Sequence, residues 1–280
     1  MHPPTYPLSK HQPIAVFDSG LGSYSIVQAL QKEMPYEHIV FLADRASFPY
    51  GTMAVPDLLK NIQSRIDWLE KTYSPKCIIV ASNTPSVTVF EMLKTNSALS
   101  FPVLPPLDEA LEKSHLGGIA ILGTQNLVQS EYVRTRKHTL EANGKRVVLI
   151  DAGALIDTVE SGQFLDYEAI IPLINDVLLD TFLGHSVDVA TLSSTHLPFL
   201  KPALQGCFPD IQFLDPAESI SSDIHQTLLH HGLAQNDPTS GCTFTPITTE
   251  NPSKGFSRDQ LVHTFSLMGI AMDIQAKTIL

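Results

Sequence analysis

The chain has 280 residues, 43% hydrophobic and 17% charged, the balance of a packed globular protein long enough for one large or two ordinary domains. Acidic residues outnumber basic ones, 29 to 18, giving a formal net charge of −11 with no Lys/Arg run along any predicted helix, so nucleic acid is not expected as a direct partner. No apolar stretch approaches the roughly 20 residues that span a bilayer, so no membrane association is expected either.

Residues 1–12 read as a flexible N-terminus: rich in Pro and His, they lack the apolar core of a secretory signal, and a cytoplasmic location is expected. Short apolar runs then alternate with longer amphipathic ones, the pattern of βαβ units around a mostly parallel sheet. The first strand is predicted over 14–17, followed by Asp18-Ser19-Gly20 and a helix over 22–34. Strands follow near 39–43, 77–81 and 103–104, then near 119–122, 147–150, 187–192 and 211–214, with a last one near 242–245. Amphipathic helices fit 53–72, 85–95, 126–142, 167–182, 217–230 and 257–276. Pro105-Pro106 interrupts regular structure and marks a boundary. The expected organisation is a first α/β domain from 13–104 plus 216–280 and a second from 105–215. Cys77, Cys207 and Cys242 are an odd set without CxxC spacing and read as reduced structural thiols.

The two predicted halves echo one another. The strand ending in Asp18-Ser19-Gly20 matches one ending in Gly123-Thr124, and later in each half a strand runs into Ser82-Asn83-Thr84 or Ser193-Ser194-Thr195-His196. In an open α/β sheet, ligands bind beyond the carboxyl ends of the strands. Backbone N–H groups at helix starts attract carboxylates or phosphates without any Lys or Arg. Ser19, Asn83, Thr84, Thr124 and Thr195 would add neutral donors, or alternatively serve as helix caps. Asp18-Ser19-Gly20-Leu21-Gly22 with Asp44 downstream suggests a dinucleotide loop, but the third glycine would fall on Ser25. There is no Walker loop, HExxH or G-x-S-x-G motif, and the eleven histidines show no ligand spacing, so no metal is expected.

Six ordered segments spanning nearly the whole chain resemble the glutamate racemase family, within the wider aspartate/glutamate racemase superfamily. They are Phe17-Asp18-Ser19-Gly20-Leu21-Gly22; Ala43-Asp44-Arg45-Ala46-Ser47-Phe48-Pro49-Tyr50-Gly51; Ala81-Ser82-Asn83-Thr84-Pro85-Ser86; Gly123-Thr124 with Ser130 and Tyr132; Val159-Glu160-Ser161-Gly162; and Leu192-Ser193-Ser194-Thr195-His196-Leu197-Pro198. The resemblance implies two doubly wound, mostly parallel-sheet α/β domains related by pseudo-twofold symmetry, with glutamate in the cleft. It also implies a cofactor-independent racemase that supplies D-glutamate for peptidoglycan. One cysteine removes the α-proton and a second returns a proton on the other face. Asp18, Glu160 and His196 match the assisting positions. Ser19, Pro49, Tyr50, Gly51, Asn83, Thr84 and Thr195 match substrate-holding ones, and Thr124 joins them as a strand-end donor. Family members are often dimers, although no interface signature stands out.

This chain departs from the family pattern at both cysteine positions, occupied by Ser82 and Ser194, and around them at Ser23, Pro85, Ser193 and Leu197. A thiol ionises near pH 8.5, whereas an alkanol lies near the roughly 15.7 of water, a gap of about 10 kcal/mol. Two functions stay open: a racemase keeping the family reaction, with Asp18 and His196 as alternative bases, and an inactive protein that binds a small carboxylate.

Overall fold

In the computed structural model, the structure describes residues 7–251, 253 and 257–279. Residues 1–6 of the N-terminal segment expected to be flexible lie outside the described residues. Further along it, Gln12 N–H bonds Ser9 C=O at 3.1 Å and Lys10 C=O accepts from Lys76 Nζ at 2.9 Å. The chain divides into two compact units, Met1–Val103 with Ala217–Leu280, and Leu104–Pro216.

The first unit begins β1 (Ile14–Asp18), α1 (Tyr24–Glu33), β2 (Ile39–Ala43), α2 (Val55–Tyr73), β3 (Cys77–Val80), α3 (Asn83–Thr88) and β4 (Leu99–Pro102). The second contains α4 (Leu107–Lys113), β5 (Gly118–Gly123), α5 (Gln125–Val128), α6 (Glu131–Ala142), β6 (Arg146–Asp151), α7 (Gly153–Ser161), α8 (Tyr167–His185), β7 (Val187–Leu192), α9 (Lys201–Cys207) and β8 (Gln212–Leu214). The chain then adds α10 (Pro216–His230), β9 (Phe244–Thr248), α11 (Arg258–Leu267) and β10 (Gln275–Ala276). Strand order is β10-β9-β2-β1-β3-β4 in the first sheet and β6-β5-β7-β8 in the second, with every pairing parallel. The first four strands of each unit therefore share one order: second, first, third, fourth.

Parallel sheets carry helices on both faces, which explains why β1, β2 and β3 are apolar at almost every position and fully buried. Side chains alternate between the faces. Ala15 and Phe17 of β1 and Val40 and Leu42 of β2 pack under Leu58, Ile62, Ile66 and Leu69 of α2, whose spacing makes one helical stripe. An aromatic cluster joins Phe41, Tyr24, Phe244 and Phe265, with Tyr24 and Phe265 edge to face at 5.0 Å. In the second unit, Ile170, Ile174, Leu178 and Phe182 form the buried stripe of α8. Among the described residues, no helix is long and apolar enough to cross a membrane.

Several predicted elements change. The helix expected over 85–95 is the short α3 plus a 3-10 turn at Phe90–Met92, and the strand near 103–104 lies at Leu99–Pro102. The helix over 126–142 breaks in two because Ser130 caps the second segment, its hydroxyl accepting from Val133 N–H at 3.2 Å. The helix over 257–276 stops at Leu267, where Gly269 takes a φ of +76° and Ile270 N–H returns to Phe265 C=O at 2.8 Å.

Candidate functional site

Where strand order reverses, the loops leaving two neighbouring strands turn to opposite faces and open a crevice at their carboxyl ends. In the first sheet this point lies where β1 meets β3. Ala81 N–H bonds Phe17 C=O at 2.9 Å, which sets Asp18 and Ser82 at the ends of adjoining strands. In the second sheet it lies where β5 meets β7. Ser193 N–H bonds Leu122 C=O at 2.8 Å, with Thr124 and Ser194 just beyond.

In the first unit, Asp18 is buried and its Oδ1 accepts from Ser19 N–H at 2.6 Å. Tyr50 N–H reaches Ser19 Oγ at 3.4 Å, so the loop after β1 touches the loop after β2. Pro49 is exposed and follows a cis peptide bond, Gly51 is half-buried, and the Tyr50 ring is enclosed. Burial, reinforced by the nearby Asp44 carboxylate, holds the Tyr50 hydroxyl well above its usual pKa. Ser82 precedes α3 in an extended conformation, half-buried, and its side chain makes no capping bond. Asn83 and Thr84 are buried in the first turn. Asn83 Nδ2 donates to Val103 C=O at 2.9 Å, which fixes the amide, and its buried Oδ1 has no donor against it among the described residues.

In the second unit, Ser194 and Thr195 are buried after β7, and His196 N–H lies 3.5 Å from Ser194 Oγ. Glu160 comes from the last turn of α7, which ends at the left-handed Gly162 (φ +80°). His196 Nε2 and Glu160 Oε2 are 2.8 Å apart, both side chains 7% exposed, so a buried imidazole and a carboxylate are paired in the segment that follows Ser194. The Thr124 hydroxyl accepts from Leu127 N–H at 3.3 Å and caps α5, the capping role that the sequence left open.

The dinucleotide alternative loses its acid. Asp44 accepts from Arg65, Tyr50 and Thr249 and is fully buried, so its oxygens are engaged inside the protein. Arg65 and Thr249 were not sequence candidates. Arg65 is an ordinary helix residue by pattern, and Thr249 lies 205 residues from Asp44. Arg45, next to Asp44 in sequence, is buried, which pushes its guanidinium pKa down to about 10. Among the described residues, no cluster of His, Cys, Asp and Glu could hold a metal ion.

No protein-family model matches the chain. The glutamate racemase of Chlorobaculum tepidum is 31% identical over 244 residues, covering 84% of this chain and 86% of that protein. The structure of a glutamate racemase isoform from Bacillus anthracis matches with a TM-score of 0.81 at 21% identity, covering 96% of this chain and 98% of that one. That of the Francisella tularensis glutamate racemase, solved in complex with D-glutamate, matches at 0.79 and 23% identity with the same coverage. At these identities the two structures speak for the fold, two mostly parallel sheets with helices.

Proposed function

The chain belongs to the glutamate racemase family, and from that premise we propose that it binds glutamate with the residues at its strand ends and is a cofactor-independent glutamate racemase whose turnover is limited by the hydroxyls of Ser82 and Ser194. The observation that carries this reading is the matched position of the two serines, each just past a strand at the point where its own sheet reverses order. The buried Asn83 Oδ1 supports an amino-acid ligand: an unmet acceptor is costly to bury, and an ammonium group supplies the donor. In this role the product D-glutamate serves peptidoglycan synthesis in the cytoplasm.

Racemisation needs one group to take the α-proton and another to return a proton on the opposite face. In the second unit, the His196–Glu160 pair offers an imidazole two residues along the chain from Ser194; in the first, Asp18 ends the strand that adjoins the one before Ser82. Neither hydroxyl ionises near neutral pH. The serine pair itself therefore favours a second reading, a glutamate-binding protein without turnover.

Heavy-water exchange separates the two. The wild type is expected to bind glutamate and to exchange its α-proton slowly, and Ser82→Cys with Ser194→Cys to accelerate exchange about 100-fold or more. Wild-type exchange at an ordinary enzymatic rate, about 10 per second, excludes the binding-only reading. If neither protein binds glutamate, the proposal fails.

A further inference from the structure

Asp44 organises a side-chain network at the carboxyl ends of the first sheet. Its Oδ2 accepts from Arg65 Nε at 2.7 Å and Tyr50 Oη at 2.9 Å, and its Oδ1 from Arg65 Nη2 at 3.1 Å and Thr249 Oγ1 at 2.7 Å. Arg65 Nη2 also reaches Ser47 Oγ at 3.0 Å, and Ala46 N–H donates to Thr249 Oγ1 at 2.9 Å. The Asp44 side chain is fully enclosed and that of Arg65 is 9% exposed.

We propose that Arg65 is a positioning residue for ligand binding: its guanidinium orients Asp44, and Asp44 fixes the Tyr50–Gly51 segment against Ser19. The inference rests on the glutamate-binding reading above, together with the family resemblance, which implies substrate-holding positions at Tyr50 and Gly51. A planar guanidinium making two bonds to one carboxylate sets the plane of that carboxylate, which the single point charge of a lysine cannot do. The oriented carboxylate then holds the Tyr50 hydroxyl, which is buried away from water. Tyr50 N–H reaches Ser19 Oγ, and Ser19 N–H bonds Asp18, so the chain of bonds runs from α2 to the end of β1.

A second buried ion pair of this unit, Lys76 with Glu37, makes a useful contrast. Lys76 and Glu37 lie at the amino ends of the strands and bond backbone groups of Lys10, Leu233 and Gln235, none of them candidate site residues. A buried ion pair contributes little net stability compared with apolar packing, so its use is better sought in the geometry it imposes. The geometry imposed by Arg65 ends on Tyr50 and Ser19.

The test uses the whole protein, with Arg65→Lys, Tyr50→Phe and the double variant, read by amide hydrogen exchange over residues 47–52 and by calorimetric titration with glutamate. Arg65→Lys is expected to speed exchange in that segment about tenfold and to weaken glutamate binding about tenfold. The double variant is expected to bind about as weakly as the weaker single variant, because both changes act through Asp44. Tyr50→Phe loses one hydroxyl and keeps the packing, so it carries the test if Arg65→Lys fails to fold. Unchanged exchange over 47–52 in both single variants, or fully additive losses of affinity, overturns the inference. If the wild type binds no glutamate, the functional reading falls separately, and the exchange measurement alone decides whether Arg65 orders the segment.

Discussion

Asp188, on β7, shows how one carboxylate shapes a loop. It accepts from Ser114 Oγ at 2.8 Å, His115 N–H at 2.6 Å and Leu116 N–H at 2.7 Å, pinning the turn that leads into β5. Burial on its own raises its pKa, but these bonds outweigh that and hold it below the usual value. A carboxyl pKa lowered by folding stabilises the protein fully above the unfolded value of about 3.9, and that stabilisation is lost as pH falls through the lowered folded value. Asp188→Asn is therefore expected to cost about 1–2 kcal/mol at pH 7 and much less near pH 2, measured by denaturant unfolding at both. An equal loss at both values would refute the assignment. Glu70 acts similarly on the loop before β4, where it receives the N–H groups of Asn96, Ser97 and Ala98. Neither brace is legible in the sequence, because Asp188 and the turn that it holds are more than 70 residues apart.

Element boundaries were legible where local chemistry sets them and obscure where distant packing does. The apolar runs within β1, β2 and β3 announce buried parallel strands without any partner in view. β9 was expected near 242–245 and runs on to Thr248, through Pro246, and β10 pairs with Ile247 and Thr248, past the proline. The start of β5 is also set from a distance. A Cβ at Gly118 would lie 2.3 Å from the carbonyl oxygen of Ser186, and Ser186 is itself left-handed (φ 48°) where α8 ends. The backbones of β5 and the α8 terminus are thus too close for any side chain. Gly118→Ala is expected to cost about 2 kcal/mol through forced displacement, seen as a lower urea midpoint with little change in slope. A midpoint equal to that of the wild type would mean that the contact relaxes freely.

Across the molecule, the readable part of the candidate site was the position of its residues along the chain, since Asp18, Ser82, Thr124 and Ser194 each follow an apolar run that stops. Strand order was not readable, and strand order is what puts Asp18 beside Ser82 and Thr124 beside Ser194. Long-range organisation has a similar hidden joint at Lys76. Its fully buried ammonium donates to Glu37 Oε2 at 2.5 Å and to the carbonyls of Lys10 and Leu233 at 2.9 Å each, so all three of its protons are used. Lys76→Met would strand the Glu37 carboxylate and is expected to cost about 3–5 kcal/mol, with part of the loss recovered in the Lys76→Met, Glu37→Gln pair. A thermal scan showing no loss in the single variant would contradict this. The acceptor at Leu233 and the strand β9 both come from the far side of the inserted second unit. On a ribosome, the contiguous segment Leu104–Pro216 has its whole sheet before the first unit owns a neighbour for the outer edge of β2. The portion translated earliest thus waits longest for completion, carrying an open strand and a lysine with one proton unmatched until the last fifth of the polypeptide emerges.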